Sequence, residues 1–284
     1  MENAACMDCR LLALAQNARG AVAGAYRTSA NLRFEGFDGL CTVLCGTSDD
    51  GPGGIVLGSA FRPRPFSDEL SAGMPARFEG GVLAAGPLMF DVRGARLFDC
   101  ALPDDGWRAT SAEAGGMARV LQDALTAARR PRPNDAMQRF LAVRAMAFRD
   151  ALRDGSGTKI AQAVRGLIGL GPGLTPSGDD QVTGCLAALR FALGPQDALV
   201  RAISDAAGRC RGSTTEVGAS MLSSAREGRF RGVVRSLLAA LKSEDERAVR
   251  RRLDALLGVG ATSGLDMADG MTAGLHAAAL ARKW

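Results

Sequence analysis

The spacing of apolar and polar positions divides this chain into two regions. Between about residues 31 and 102, short runs that favour strands alternate with Gly, Pro and Asp. Beyond Trp107 the apolar residues recur at helical spacing, and no further strand signal appears. The pattern predicts an α+β fold, in which a small, mostly antiparallel β-rich N-terminal domain is followed by an all-helical C-terminal domain. The strand runs are Asn31–Phe34, Leu40–Leu44, Gly54–Leu57, Ala76–Phe78, Leu88–Val92 and Ala95–Cys100.

We place the predicted domain boundary after residue 107. The first domain, residues 1–107, begins with a helix predicted over 3–20, where apolar residues recur without a proline. Arg93-Gly94, between the last two strand runs, predicts a tight hairpin. The second domain, residues 108–284, follows, with a solvated linker predicted around residues 129–133. Its helices are predicted at about 111–128, 135–153 (capped by Asn134 or Asp135), 175–193, 196–209, 213–227, 229–243, 245–257 and 263–282. Residues 159–168 lead into the glycine-rich segment before the third of them.

A glycine-rich segment leads directly into one of these helices. Thr175 can serve as its N-cap and Pro176 as its first helical residue, where the missing N–H of proline costs nothing. Glycines leave the backbone amides accessible, and amides at a helix N-terminus attract phosphate or carboxylate. The segment therefore predicts an anion site that involves Gly171, Gly173, Thr175, Ser177 and Gly178. It reads Gly169-Leu170-Gly171-Pro172-Gly173-Leu174-Thr175-Pro176-Ser177-Gly178-Asp179-Asp180.

Two adjacent carboxylates, Asp179 and Asp180, fall in the first turn of the same helix. Acidic residues at this position can simply complement the helix dipole. The alternative is that they hold a metal or a cationic, amide-bearing ligand beside an anion bound on the amides. The residues alone leave both interpretations open.

A second copy of the design lies 86 residues further along the chain: Ser177-Gly178-x-Asp180-x-x-x-Gly184 matches Ser263-Gly264-x-Asp266-x-x-x-Gly270. In each copy the Asp and the last Gly are four residues apart, which places them on one helix face. Small residues continue both faces, so we predict that the two helices pack closely and bring both turns to one site, which requires a roughly parallel or steeply crossed pair. Thr262, Ser263, Gly264 and Asp266 would then belong to that site. The alternative is a chance similarity in a chain rich in Gly and Ala.

Other candidate groups add little independent chemistry. Ser213-Thr214-Thr215-Glu216 is typical of a capped helix start, and capping alone explains its hydroxyls. His276 is the only histidine and follows Asp266 by about 15 Å of helix, so it is expected to be a packed or surface residue. The motif therefore lacks a nearby Ser-His-Asp or Cys-His arrangement, and no phosphate-binding G-x-x-x-x-G-K pattern is present.

Composition narrows the class of protein. Hydrophobic residues make up 47% and charged residues 23% of the chain, which is typical of a soluble globular protein. No apolar run reaches the roughly 18 residues of a membrane span, and no signal peptide is recognised, so we expect a cytoplasmic protein without a membrane partner. The net charge is +5, but only 5% of residues are aromatic and no basic run carries stacking residues, so no nucleic-acid partner is expected.

The first region also contains cysteine and glycine clusters. Seven cysteines without a regular framework indicate a reducing compartment. Cys6-x-x-Cys9 with Cys41 and Cys45 could hold zinc, but buried structural thiols are favoured because Cys41 and Cys45 share a strand face. The turn at residues 51–54 could be a second backbone-lined site, although an ordinary loop is favoured. No metal and no cofactor are predicted.

The glycine motif and its later partner carry a family resemblance. Together with the Thr-Ser-Gly-x-Asp at residues 262–266, the twelve-residue motif resembles the AllH-type family, associated with heteromeric oxamate carbamoyltransferase of anaerobic allantoin degradation. Thr214-Thr215, Ser220 and the Ala-x-x-Gly at Ala225 also fit. With this resemblance, the Thr214 and Thr215 hydroxyls become candidates for the common site, where three helix N-termini could converge. The resemblance spans most of the chain and is sharp from about Gly169 to Gly274.

This resemblance implies a subunit of a carbamoyltransferase complex, which moves a carbamoyl group between oxalurate or oxamate and phosphate. It implies a heteromeric assembly with other subunits and a small anionic substrate. Asp179, Asp180 and Asp266 are then the candidate catalytic residues, which would orient an NH2 group or a partner's cation. Two alternatives stay open: a metal-dependent hydrolase similar to the ADP-ribosylglycohydrolases, with the same aspartates and Asp269 as ligands, and a non-catalytic scaffold subunit.

Overall fold

Two compact units make up the protein, Met1–Cys100 and Ala101–Trp284. The computed structural model describes residues 1–45, 50–58, 64–128 and 135–281. Strands dominate the first unit and helices the second, so the predicted α+β class is confirmed. The predicted linker at residues 129–133, and Asn134 with it, lies outside the described residues.

The first unit is organised around a sheet that closes on itself. Numbered along the chain, its described strands are β1 (Glu2–Asp8), β2 (Asn17–Ala25), β3 (Ser29–Phe34), β4 (Cys41–Leu44), β5 (Gly54–Leu57), β6 (Pro75–Glu79), β7 (Val82–Ala85), β8 (Leu88–Asp91) and β9 (Arg96–Phe98). Neighbours in the sheet follow the order β5-β4-β3-β2-β6-β7-β8-β1, and β1 also pairs with β5, which completes the ring. β9 continues along the same edge of β1 as β8. Most pairs are antiparallel, as expected, while β1–β8, β1–β9 and β4–β5 are parallel.

The helix predicted over residues 3–20 is wrong. That stretch forms β1, a 3-10 turn at Cys9–Leu11, the short helix α1 (Leu12–Gln16) and β2. Pairing decides the outcome, because β1 closes the sheet between β5 and β8 and tertiary context overrides local helix propensity. In β2, Gly20 lets β3 approach closely, since a Cβ there would lie 2.1 Å from the carbonyl oxygen of Arg33.

The hairpin predicted at Arg93-Gly94 is also wrong. β8 and β9 both run parallel to β1, with Glu2 opposite Phe90 and Cys6 opposite Arg96. The Asp91 carboxylate accepts the backbone N–H of Arg93 at 3.0 Å and so closes a local turn instead. A sequence pattern marks the turn but not the strand that each flank joins.

The glycine turn at residues 51–54 and the cysteines have structural explanations. Asp8 is fully buried, and its carboxylate accepts the backbone N–H of Gly53 at 2.7 Å and pairs with Arg10 at 3.2 Å. The turn at residues 51–54 is therefore tied to the protein's own carboxylate. All seven cysteines are free thiols, and burial raises the pKa of Cys6. Across residues 1–45, 50–58, 64–128 and 135–281, no three His, Cys, Asp or Glu side chains cluster as metal ligands would.

Helices form the second unit, which buries its own apolar core. Its described residues also contain one isolated antiparallel bridge, between Ala101 and Arg229. None of the described helices is long and apolar enough to cross a membrane. A short helix of the first unit, α2, spans Phe66–Glu69, and the helices of the second are α3 (Ser111–Ala128), α4 (Ala136–Asp154), α5 (Gly157–Leu167), α6 (Ser177–Leu193), α7 (Ala198–Arg209), α8 (Glu216–Arg226), α9 (Gly232–Lys242), α10 (Glu246–Leu257) and α11 (Ser263–Ala281).

One helix, α6, lies at the centre of this core. Its residues from Ser177 to Leu189 are all buried, as expected of a helix surrounded on every side. Its start differs from the prediction: Pro176 is the N-cap and Ser177 the first helical residue. Thr175 does not cap the helix, because its hydroxyl is hydrogen bonded to Ser263 instead.

Candidate functional site at two paired helix starts

The helices α6 and α11 pack backbone against backbone through their glycines. A Cβ on Gly184 would lie 2.0 Å from the carbonyl oxygen of Met267, and a Cβ on Gly270 would lie 2.0 Å from that of Gln181. Gln181 and Met267 occupy equivalent positions in the two copies of the motif, so the contact is reciprocal. Further along, Gly274 approaches Cys185 and Ala188, so the contacts advance in the same direction along both helices. The predicted close packing is observed, and the pair runs roughly parallel.

The turns before these helices are also built alike. Gly178 packs on the carbonyl of Leu167, and its N–H donates to the Leu170 carbonyl at 2.9 Å. In the second copy Gly264 packs on the carbonyl of Leu256, and its N–H donates to the Val259 carbonyl at 3.0 Å. A Cβ on Gly171 or on Gly260 would likewise press on the serine that begins the following helix.

The repeat extends back through the preceding helices, α5 and α10. Their N-cap residues Ser156 and Asp245, and the core residues Val164 and Leu253, are each 89 residues apart. After the turn the spacing becomes 86, because the first copy carries three additional residues between its glycine and Ser177. The sequence contains this change of register, but the glycine motif alone does not reveal it.

The two turns meet at their helix starts. The Thr175 hydroxyl, in the longer first turn, lies 2.8 Å from the Ser263 hydroxyl at the start of α11. The Thr215 hydroxyl, at the N-cap of α8, donates to the carbonyl of Leu174 in the first turn. A third helix start therefore also holds this turn in place. Thr215 also caps α8 by accepting the N–H of Gly218 at 2.9 Å, as its sequence predicted.

The adjacent aspartates have different surroundings. Asp179 is fully buried, and each of its oxygens is occupied: one accepts the Gly169 N–H at 2.7 Å and the other accepts the Thr214 hydroxyl. Burial raises the pKa of Asp179, and these two hydrogen bonds oppose the rise. Asp179 therefore ties the glycine turn to the segment before α8.

Asp180 is equally buried, but neither of its oxygens has a hydrogen-bond partner among the described residues. Burial raises the pKa of Asp180 to about 8, and the neighbouring Asp266 adds to the rise. The hydroxyls of Ser263 and Thr175 and the charge of Arg231 act in the opposite direction. Those hydroxyls face the carboxyl group while bonding to each other, so Asp180 is left as a buried acid at the junction of the two turns.

Backbone amides without a partner lie in the turns and at the first residue of each helix. The N–H groups of Asp179 and Asp180 donate to the Pro176 carbonyl at 2.9 and 3.1 Å, and the amides of Gly178 and Gly264 are occupied as described above. In contrast, the amides of residues 171, 173–175 and 177 and of residues 260–263 have no partner among the described residues. Gly173 and Leu174 are exposed, so this part of the first turn lies at the protein surface. Successive free amides of this kind form anion-binding concavities.

Residues 167–275 match the model of the family described as oxamate carbamoyltransferase subunit AllH. The chain resembles the AllH family. No curated protein and no solved structure gives a significant match.

The AllH-like stretch contains every candidate residue of the motif and two further groups that sequence reasoning missed. Arg231, half-buried at the N-cap of α9, acts electrostatically on Asp180. Nothing in its local sequence distinguishes it from the many other arginines. Thr183 is buried, and its hydroxyl has no partner among the described residues. Its position three residues after Asp180, on the same helix face, is a signal that could have been used.

Proposed function

We propose that this chain is a subunit of an oxamate carbamoyltransferase-type complex, which moves a carbamoyl group between oxalurate or oxamate and phosphate. The AllH match supports the class of complex. The observation that carries the proposal is the junction itself, where Thr175 meets Ser263 and an unpartnered buried carboxyl group, Asp180, lies beside Asp266. A protein that needed the two turns only for packing would gain nothing from burying Asp180 without a partner, since such burial costs free energy.

The chemistry of the junction suits a small ligand with an anionic end and an amide end. Free turn amides and the guanidinium of Arg231 offer donors for phosphate or carboxylate oxygens. Asp180 and Asp266 offer groups that can hydrogen bond to an NH2. Donors fixed before the reaction stabilise charge that develops on transferred groups, which is the main need of an acyl-transfer site.

We assign the predicted site residues to two groups, those that contact the ligand and those that position the contacting residues. Asp180 and Asp266, with the turn residues Gly171, Gly173 and Ser263, face the ligand. The remaining candidates position them: Thr262, whose carbonyl accepts the N–H of Asp266 at 2.9 Å, together with Thr175, Ser177, Gly178, Asp179, Thr214, Thr215 and Gly264. Because both Asp179 oxygens are already occupied, the hydrolase alternative with Asp179 as a metal ligand gains no support from the geometry.

A reconstitution experiment tests the function. The chain is purified with the other subunits of the complex, and carbamoyl phosphate formed from oxalurate and phosphate is measured with and without it. We expect activity to require the chain and to fall in Ser263→Ala, which removes the hydroxyl at the junction. Ser243→Ala is the control, because the Ser243 hydroxyl bonds only to the local carbonyl of Ala240 at 2.9 Å. Full activity in the absence of the chain would contradict the proposal.

A further inference from the structure

We propose that Asp180 is the proton-transfer residue of the carbamoyl-transfer site, which gives a proton to the leaving amide nitrogen and recovers one from phosphate. This role of Asp180 rests on the proposed function, because it concerns the proton that moves during carbamoyl transfer. The two adjacent aspartates differ in their hydrogen bonds. Asp179 uses both oxygens to hold the turn, whereas Asp180 has no hydrogen-bond partner among the described residues.

An ionised carboxylate in this position would be costly. Removing a charge from water without a partner costs several kcal/mol, and a buried group avoids this cost by staying neutral. The surroundings agree: burial is the largest cause of the rise in the pKa of Asp180 to about 8, ahead of the charge of Asp266. Asp180 therefore carries a proton at neutral pH, as a general acid must.

The charged groups that face Asp180 come from two packed elements. Asp266 on α11 raises its pKa, and Arg231 at the start of α9 lowers it. The Thr175 and Ser263 hydroxyls also lower the pKa of Asp180, because a hydroxyl of this pair can donate a hydrogen bond to the ionised carboxylate. The opposed influences leave the group able both to lose and to regain a proton, which general acid–base catalysis requires.

The reaction needs one proton to move and returns the carboxyl group to its starting state. A phosphate oxygen of HPO4²⁻ bonds to the carbamoyl carbon of oxalurate, and the bond from that carbon to the amide nitrogen breaks with its electron pair on nitrogen. The nitrogen takes the Asp180 proton, so oxamate leaves as a neutral amide. The Asp180 carboxylate then takes the proton of the former HPO4²⁻, which leaves carbamoyl phosphate as a dianion. Three negative charges enter and three leave.

Asp180→Asn in the reconstituted complex tests this role, because Asn keeps the shape of a neutral carboxyl group but cannot transfer its proton. We expect kcat to fall by roughly 10²- to 10⁴-fold, the usual contribution of general acid–base catalysis. The KM values for oxalurate and phosphate should stay within about threefold of wild type, since the neutral group makes similar contacts. Asp123→Asn, at an exposed position of α3, is the matched control and should leave kcat unchanged.

The pH profile of the unaltered complex gives a second test that does not depend on the folding of a variant. The wild-type kcat should fall as pH rises through the pKa of Asp180 in the complex, and the residual rate of Asp180→Asn should lack this limb. A wild-type kcat that is constant or rising up to about pH 10 would overturn the inference. So would a folded Asp180→Asn complex with kcat within threefold of wild type, or one whose loss lies wholly in KM. Failure of the wild-type complex to form any carbamoyl phosphate would instead refute the proposed function.

Discussion

Replacing Gly184 by Ala tests whether α6 and α11 pack as closely as the candidate site requires. The new Cβ would lie 2.0 Å from the carbonyl oxygen of Met267, whereas ordinary van der Waals contact begins at 3.4 Å. The obstacle is the backbone of α11, which cannot rotate away as a side chain can. The two helices must therefore separate by about 1.4 Å at their closest point, and the contact loses packing along its length.

The expected change combines two opposed terms. Alanine gains about 1 kcal/mol over glycine within a helix. Overpacking costs about 1–3 kcal/mol, and more where the backbone must move, so we expect a net loss of about 2 kcal/mol in the free energy of unfolding. For a unit of this size that corresponds to a fall of about 4–8 °C in Tm. Gly270→Ala should cost a similar amount, because its Cβ would lie 2.0 Å from the carbonyl oxygen of Gln181.

Urea denaturation followed by far-UV circular dichroism measures these changes, with Gly116→Ala as the control. Gly116 lies within α3, and a Cβ there would meet no atom within 4 Å, so this variant should gain up to about 1 kcal/mol. If Gly184→Ala and Gly270→Ala were as stable as Gly116→Ala, the close helix contact would be refuted. A loss in only one of them would refute the reciprocal contact of the two copies.

Two further predictions concern the aspartates. Because burial raises the pKa of Asp180 from 3.8 to about 8, the folded protein keeps a proton that the unfolded chain releases above about pH 4. The free energy of unfolding of Asp180→Asn relative to wild type should therefore increase from about pH 4 to about pH 8, by at most about 1.4 kcal/mol per pH unit, and then level off. If this difference, measured by thermal or urea unfolding, did not change with pH, Asp180 would not be a buried acid. Thr214→Val leaves an oxygen of Asp179 without its hydroxyl donor and should cost about 1–3 kcal/mol in urea unfolding. Thr126→Val, which removes an exposed hydroxyl on α3, is its control, and equal losses in the two variants would contradict the anchoring role of Asp179.

The sequence by itself determined the helices of the second unit and the repeat at their centre. Caps and helical periodicity are local: Asp135 accepts the N–H of Gln138 at 2.8 Å, and Thr215 accepts that of Gly218 at 2.9 Å, both within one turn of chain. The small residues that follow Ser177 and Ser263 on one helix face also predicted that the two helices pack closely. A face of glycine and alanine offers nothing to pack on unless a second backbone approaches it.

Only the tertiary structure decided which strand each segment of the first unit joins and which aspartate keeps a free carboxyl group. The segment at residues 3–20 has helical spacing, yet its ends become strands because the closed sheet needs β1 between β5 and β8. Asp179 and Asp180 are identical in type and adjacent in sequence, but only Asp179 meets Thr214, which is 35 residues away along the chain. The proton affinity of a carboxyl group depends on burial and on the donors that reach it, and the fold supplies both from distant parts of the chain.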